Sequence, residues 1–169
     1  MVALALGGCG PKDDAAPVPT DSAKAEAAEL QRPEPGLYKQ SLEFTKFEMP
    51  GLKPEEAEMM KGMMKQAQPA EFCLTKEASE KGFREMFDKV REGNECDFSK
   101  FDVSGGKLDA VMACKNPEGA TSTSRFAGTI APAGSDVIVE VDQKNPKAPM
   151  ENAVITMHMK TERIGDCTS

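Results

Sequence analysis

The stretch CDFSKFDVSGGKLDAVMAC, residues 96–114, decides the fold. Apolar and polar side chains alternate on both sides of Ser104-Gly105-Gly106, which is typical of two β-strands joined by a tight, glycine-bearing turn. We predict a three-residue loop at this point, with Val103 directly opposite Lys107. The stretch is therefore an antiparallel hairpin whose register can be counted outward from the turn.

The cysteines agree with that register. Counting outward places Cys96 opposite Cys114, at a Cα spacing that a disulfide tolerates. The chain has five cysteines, and setting aside Cys9 leaves an even number. An even number in an exported protein predicts two disulfides, so the second bond joins Cys73 to Cys167 by elimination. Metal ligation is the alternative, but it requires close spacing such as C-x-x-C, which the chain lacks.

Upstream of the hairpin, the pattern predicts a strand over Gly36–Phe47, then two helices with a short strand between them. The first helix begins at Pro54, a residue suited to a first helical turn, and ends before Pro69. Thr75 can cap the second helix, and Gly93 ends it. The apolar stripe of the second helix consists of Phe83, Met86, Phe87 and Val90.

Downstream of the hairpin, the pattern predicts strands only. Turns are expected at 116–119, 132–134 and 145–149, where Gly, Pro and Asn cluster. Short connections between consecutive strands favour antiparallel neighbours. We therefore predict an α+β domain over residues 36–167: an antiparallel β-meander sheet of about six strands, with two helices inserted in the N-terminal half and covering one face.

The N-terminus predicts the location of the protein. Leu6-Gly7-Gly8-Cys9 resembles the bacterial lipobox, in which a signal peptidase cuts before the cysteine and the thiol carries lipid. We expect residues 1–8 to be a remnant signal peptide and 9–35 a lipid-anchored disordered linker, because this segment has few large apolar residues. Gly10 after the cysteine favours the outer membrane, at the periplasmic face of the envelope. A chance cysteine in a disordered terminus is the alternative.

Methionine is the other unusual feature of the composition. The chain has 11, and four of them share one face of the first predicted helix: Met59, Met60, Met63 and Met64. Methionine is an adaptable filler of cores and of promiscuous apolar grooves, so this face is predicted to be core, or a groove or lid over an apolar ligand. Thioethers also bind Cu(I), a soft ion, which makes a copper site the alternative.

Several classes of function are disfavoured by composition. The formal net charge of −7 argues against nucleic-acid binding, which requires a basic surface. His158 is the only histidine, and on a strand it points away from its neighbours Met157 and Met159, so a nucleophilic triad has no evident base. We predict no enzyme activity, no catalytic residues, no metal and no cofactor.

Two short motifs carry a resemblance to a known family. A strand opened by Gly36-Leu37-Tyr38, Met-rich sequence after it, and a terminal Arg163-Ile164-Gly165-Asp166-Cys167 resemble domain-of-unknown-function family 3617, small exported proteobacterial proteins in which Trp is usual where Tyr38 stands. The resemblance implies no activity or substrate. The combined expectation is a non-enzymatic envelope lipoprotein that touches the membrane through its anchor and binds an apolar small molecule or a protein partner, with periplasmic copper binding as the alternative.

Overall fold

The computed structural model describes residues 32–65, 69–82, 93–145 and 152–167. Within these ranges the chain forms a seven-stranded antiparallel sheet and two short helices, so the fold is mostly β and has one strand more than expected. The elements, in chain order, are β1 (Gly36–Glu48), α1 (Pro54–Lys65), β2 (Ala70–Leu74), α2 (Lys76–Lys81), β3 (Glu95–Ser104), β4 (Lys107–Lys115), β5 (Thr121–Ala131), β6 (Gly134–Lys144) and β7 (Asn152–Gly165).

The strand order is β2-β1-β7-β6-β5-β4-β3. The run from β3 to β7 is the predicted meander, because each strand pairs with the next one along the chain. The two N-terminal strands depart from it: β1 pairs with β7, and β2 pairs with the first part of β1. As a result, β2 and β3 lie at opposite edges of the sheet although they are consecutive strands.

The hairpin turn differs from the predicted one by one residue. Ser104 lies opposite Lys107, so the loop contains only Gly105-Gly106, and Val103 pairs with Leu108. Both glycines have positive φ, 57° and 77°. Two-residue loops of this kind match the twist of the flanking strands, which is why they are favoured over longer loops. The predicted three-residue loop is therefore wrong.

A β-bulge restores the predicted pairing of the cysteines. The register shifts by one residue between Phe98 and Lys100, which places the extra residue, Ser99, in β3. Beyond the bulge, Cys96 lies opposite Cys114 with a Cα–Cα distance of 4.1 Å, and the two are disulfide-bonded. The shorter loop and the bulge displace the register by one residue in opposite directions. The two effects cancel, so the predicted cysteine pair forms although the predicted loop is wrong.

The sheet has one apolar face and one polar face, as the period-2 alternation of its strands requires. Two clusters of buried residues form the centre of the apolar face; they comprise Ile130, Val137 and Val139 in one, and Phe101 and Ala110 in the other. Half-buried apolar residues surround them: Val103, Leu108, Phe126, Val141, Met157 and Met159.

Gly128 lies where two strands of the sheet approach each other closely. It lies opposite Val137 on the apolar face, and a Cβ there would lie 2.7 Å from the Cα of Val137 and would also collide with the backbone carbonyl of Asp136. A side chain at this position would therefore collide with the backbone of β6. Glycine permits this close approach of the two strands.

The helices begin as predicted but cover less of the sheet than expected. The Thr75 hydroxyl accepts the N–H of Ala78 at 3.2 Å and caps α2, which has its C-cap at Gly82 (φ 57°); the predicted continuation toward Gly93 lies outside the described residues. The predicted apolar stripe at residues 83–90 lies outside the described residues. Among the described elements, the main contact between a helix and a strand is a small one of α1 with β1, so these two helices do not lie across the apolar face. In the described part of the chain, no helix has the length and apolar character to cross a bilayer.

Candidate functional site

The two family-like motifs meet at one end of the sheet, around Tyr38. This side chain is 3% exposed, and its ring stacks on Phe72 with the centroids 5.6 Å apart. The hydroxyl lies 2.8 Å from the carbonyl oxygen of Glu34 and 2.9 Å from that of Pro132, and it donates its proton to one of them at a time. Burial raises the pKa of the Tyr38 hydroxyl, an effect partly offset by the positive charge of Arg163.

Arg163 joins the two motifs directly. Its Nε donates to the carbonyl oxygen of Pro35 at 2.9 Å, and its Nη2 donates to the Asp166 carboxylate. The guanidinium lies against Gly36, where a Cβ would collide with Arg163 and would lie 2.6 Å from the Gly165 carbonyl oxygen. Gly36 has φ 155°, and its hydrogen side chain is what permits this close approach.

The segment before β1 is fastened to the same place. The Glu34 N–H donates to the Pro132 carbonyl at 2.7 Å, and the Ser79 hydroxyl donates to the Pro33 carbonyl at 2.5 Å. The Cys73–Cys167 disulfide, with a Cα–Cα distance of 5.5 Å, joins β2 to the residues after β7, as the predicted pairing requires. Among the described residues, these contacts include Pro33, three residues before the predicted start of the domain.

We call this arrangement the clasp; its residues are Pro33–Gly36, Tyr38, Phe72, Cys73, Ser79, Pro132 and Arg163–Cys167. Its polar side chains donate hydrogen bonds chiefly to backbone carbonyls from other parts of the chain. These bonds hold the segment before β1 against the end of the sheet. The motifs that carry the family resemblance thus build a structural junction between the beginning and the end of the domain.

The methionine face of α1 is divided in the structure. Met59 is 63% exposed and Met63 is 66% exposed, and the two lie one turn apart. Met60 is half-buried, as is Ala57 one turn earlier, so these two lie on the more buried side of the helix. The side chain of Met64 lies outside the described part of the structure. We refer to Met59 and Met63 as the methionine pair.

A strip of half-buried apolar side chains runs across β1 and β7. Leu42 lies opposite Met159, and Phe44 lies opposite Met157, where β1 and β7 pair on the apolar face. All four are half-buried, unlike the buried residues at the centre of the sheet. We refer to these four residues as the apolar strip.

The polar face carries exposed charge pairs. His158 Nε2 lies 2.6 Å from Asp136 Oδ1, and both side chains are exposed, so the histidine lies on the face opposite its neighbouring methionines, as expected. Lys100 pairs with Asp109 at 2.5 Å, and this hydrogen bond raises the pKa of Lys100. Among the described residues, no three His, Cys, Asp or Glu side chains are placed to share a metal ion.

The predicted lipid anchor lies outside the described residues. Cys9 and the predicted linker up to residue 31 are outside the described residues, so the structure places only the last part of the linker, in the clasp. Sequence reasoning missed that part. Pro33-Glu34-Pro35 has the composition of a linker. Its backbone carbonyls accept hydrogen bonds in the clasp, and because every residue has a backbone carbonyl, the residue types do not indicate this role.

Comparison with known proteins places the chain in a family. A family model described as a protein of unknown function, DUF3617, matches residues 33–167. The chain belongs to this family, and the match starts at Pro33, where the clasp also starts. No curated protein and no solved structure matches the chain.

Proposed function

We propose that this protein is a non-enzymatic lipoprotein of the bacterial envelope whose domain binds an apolar small molecule or a protein partner. The observation that carries the proposal is the exposure of the methionine pair, at 63% and 66%, on one side of α1. Solvent-facing helix positions are ordinarily polar, and two large apolar side chains one turn apart form a small apolar surface.

Methionine suits a surface that receives apolar groups. Its side chain is unbranched and polarisable, so it adapts to the shape of a ligand. The apolar strip on β1 and β7 is a second, half-buried apolar surface of the domain. Small-molecule sites are lined predominantly by apolar side chains with a few polar groups.

The anchor sets the working range of the domain. If Cys9 carries lipid, 23 residues lie between it and the first clasp residue, Pro33. Even fully extended, a chain of this length reaches roughly 80 Å, so the lipid would keep the domain near the membrane surface. We infer that the domain lies at the periplasmic face of the outer membrane and has no nucleic-acid partner.

Copper binding remains the second candidate, and the same exposure favours it. Two thioethers one turn apart and open to solvent are available to Cu(I), which prefers soft ligands. Buried methionines would not be available in this way. The two candidates make opposite predictions for a change that keeps volume and apolarity but removes sulfur.

Binding of the uncharged fluorophore N-phenyl-1-naphthylamine tests the apolar site. Changing both Met59 and Met63 to Glu is expected to weaken binding about tenfold or more, because burying one methionine contributes roughly 1.5–3 kcal/mol. Changing both to Leu is expected to preserve binding, since the swap keeps volume and apolarity. Ile138→Glu is the matched control, because Ile138 is 52% exposed on the polar face.

The result that overturns the apolar site is equal binding by the Glu and Leu variants. A separate experiment tests the copper candidate: the protein competes with a chromogenic chelator for Cu(I) while its disulfides are kept oxidised. Tight one-to-one binding by the wild type, lost when Met59, Met60, Met63 and Met64 are all Leu, would establish the copper candidate in its place.

A further inference from the structure

The methionines of this protein differ widely in their access to solvent. Met59 and Met63 are 63% and 66% exposed, whereas Met112 on the apolar face is 7% exposed. Met60, on the same helix, is half-buried. Oxidation of a thioether by a small polar oxidant requires contact with the sulfur, so exposure decides which methionines react.

We propose that the methionine pair is a sulfoxidation site, modified by peroxides that reach the envelope. The Sδ atom attacks one peroxide oxygen and the O–O bond breaks. An S–O bond forms, the sulfur is oxidised by two electrons, and with hydrogen peroxide the other oxygen leaves as water. The products are methionine sulfoxides at Met59 and Met63.

The location gives this modification a consequence. A sulfoxide is polar where the thioether was apolar, so oxidation would convert the apolar surface of α1 into a polar one. The helix also has little support from the rest of the fold: it has 12 residues with Gly62 in its interior, and its main contact with the sheet is a small one with β1. Isolated helices of this length have marginal stability in water, so a change in side-chain polarity can alter the stability of α1. If the proposed apolar site exists, oxidation switches it off.

Timed oxidation of the full chain by hydrogen peroxide, followed by tandem mass spectrometry of its peptides, tests the site. The expected result is that Met59 and Met63, at 63% and 66% exposure, oxidise several-fold faster than Met112 at 7%, with Met60 between them. The same oxidation in denaturant, where all methionines are equally exposed, should remove the difference. Equal rates at Met59, Met60 and Met112 in the folded protein would overturn the proposal.

A second measurement links the site to binding, and this part rests on the proposed function. Peroxide treatment is expected to abolish binding of N-phenyl-1-naphthylamine by the wild type but not by the variant with Leu at positions 59 and 63, which has no sulfur there. Loss of binding in both proteins would show that the pair is not the switch. If the untreated protein binds no probe, the proposed function is refuted. The oxidation site is still supported in that case, provided that Met59 and Met63 are oxidised selectively.

Discussion

Replacing Cys73 and Cys167 together by Ala is expected to lower the free energy of unfolding by about 4–5 kcal/mol. The bond spans a sequence separation of 94 residues, and a loop of about 100 residues corresponds to roughly 4.7 kcal/mol of chain entropy in the unfolded state. Replacing Cys96 and Cys114 should have a smaller effect, about 3 kcal/mol, because their separation is only 18. Urea unfolding of both double variants measures the two losses.

The structure gives the longer link a further role. Strand β2 has only five residues and lies at an edge of the sheet, and the disulfide fastens it to the end of β7. Its other link to the sheet is its pairing with β1, over five residue pairs. A larger loss from the Cys96–Cys114 pair than from the Cys73–Cys167 pair would contradict this account of the clasp.

Tyr38→Ala is expected to lower the free energy of unfolding by about 3–5 kcal/mol, the range found when a buried aromatic side chain is truncated. Tyr38→Phe keeps the ring against Phe72 but leaves the carbonyls of Glu34 and Pro132 without the hydroxyl, at a cost of about 1–3 kcal/mol. Thr45→Val is the control, since its hydroxyl makes one exposed bond of 3.3 Å, and it should change stability by less than about 0.5 kcal/mol.

The pH dependence of stability gives a second readout for Tyr38. Burial raises its pKa above the usual value of 10, so the folded state holds the proton more tightly than the unfolded state. Stability therefore falls as the pH rises above 10, and this contribution should be missing in Tyr38→Phe. If Tyr38→Phe has the stability and alkaline pH dependence of the wild type, the hydroxyl does not hold the clasp.

Much of the fold could be predicted because it follows from local patterns. Alternation along the chain predicts the strands, and short turns predict the meander from β3 to β7. The positions of β1 and β2 could not be predicted in this way, because pairing across more than 100 residues, such as Leu42 with Met159, leaves no local signal. The bulge at Ser99 was missed for a similar reason: its effect on the register cancels that of the two-residue turn.

The site was predicted less well than the fold. Spacing shows which methionines share a helical face, but the rotation of α1 relative to β1 decides which of them are exposed, and that depends on tertiary packing. The motif around Arg163 could be recognised from the sequence, whereas its partners are backbone carbonyls such as that of Pro35, which no residue type specifies.

The central claim, an anchored domain that holds an apolar ligand, is tested most directly by native mass spectrometry of the protein purified from its own envelope. The account predicts two mass increments on the chain that begins at Cys9: a diacyl lipid that persists after denaturation, and a non-covalent apolar ligand that is lost on denaturation. A bare polypeptide that retains neither, or one that carries copper in place of an apolar ligand, would contradict it.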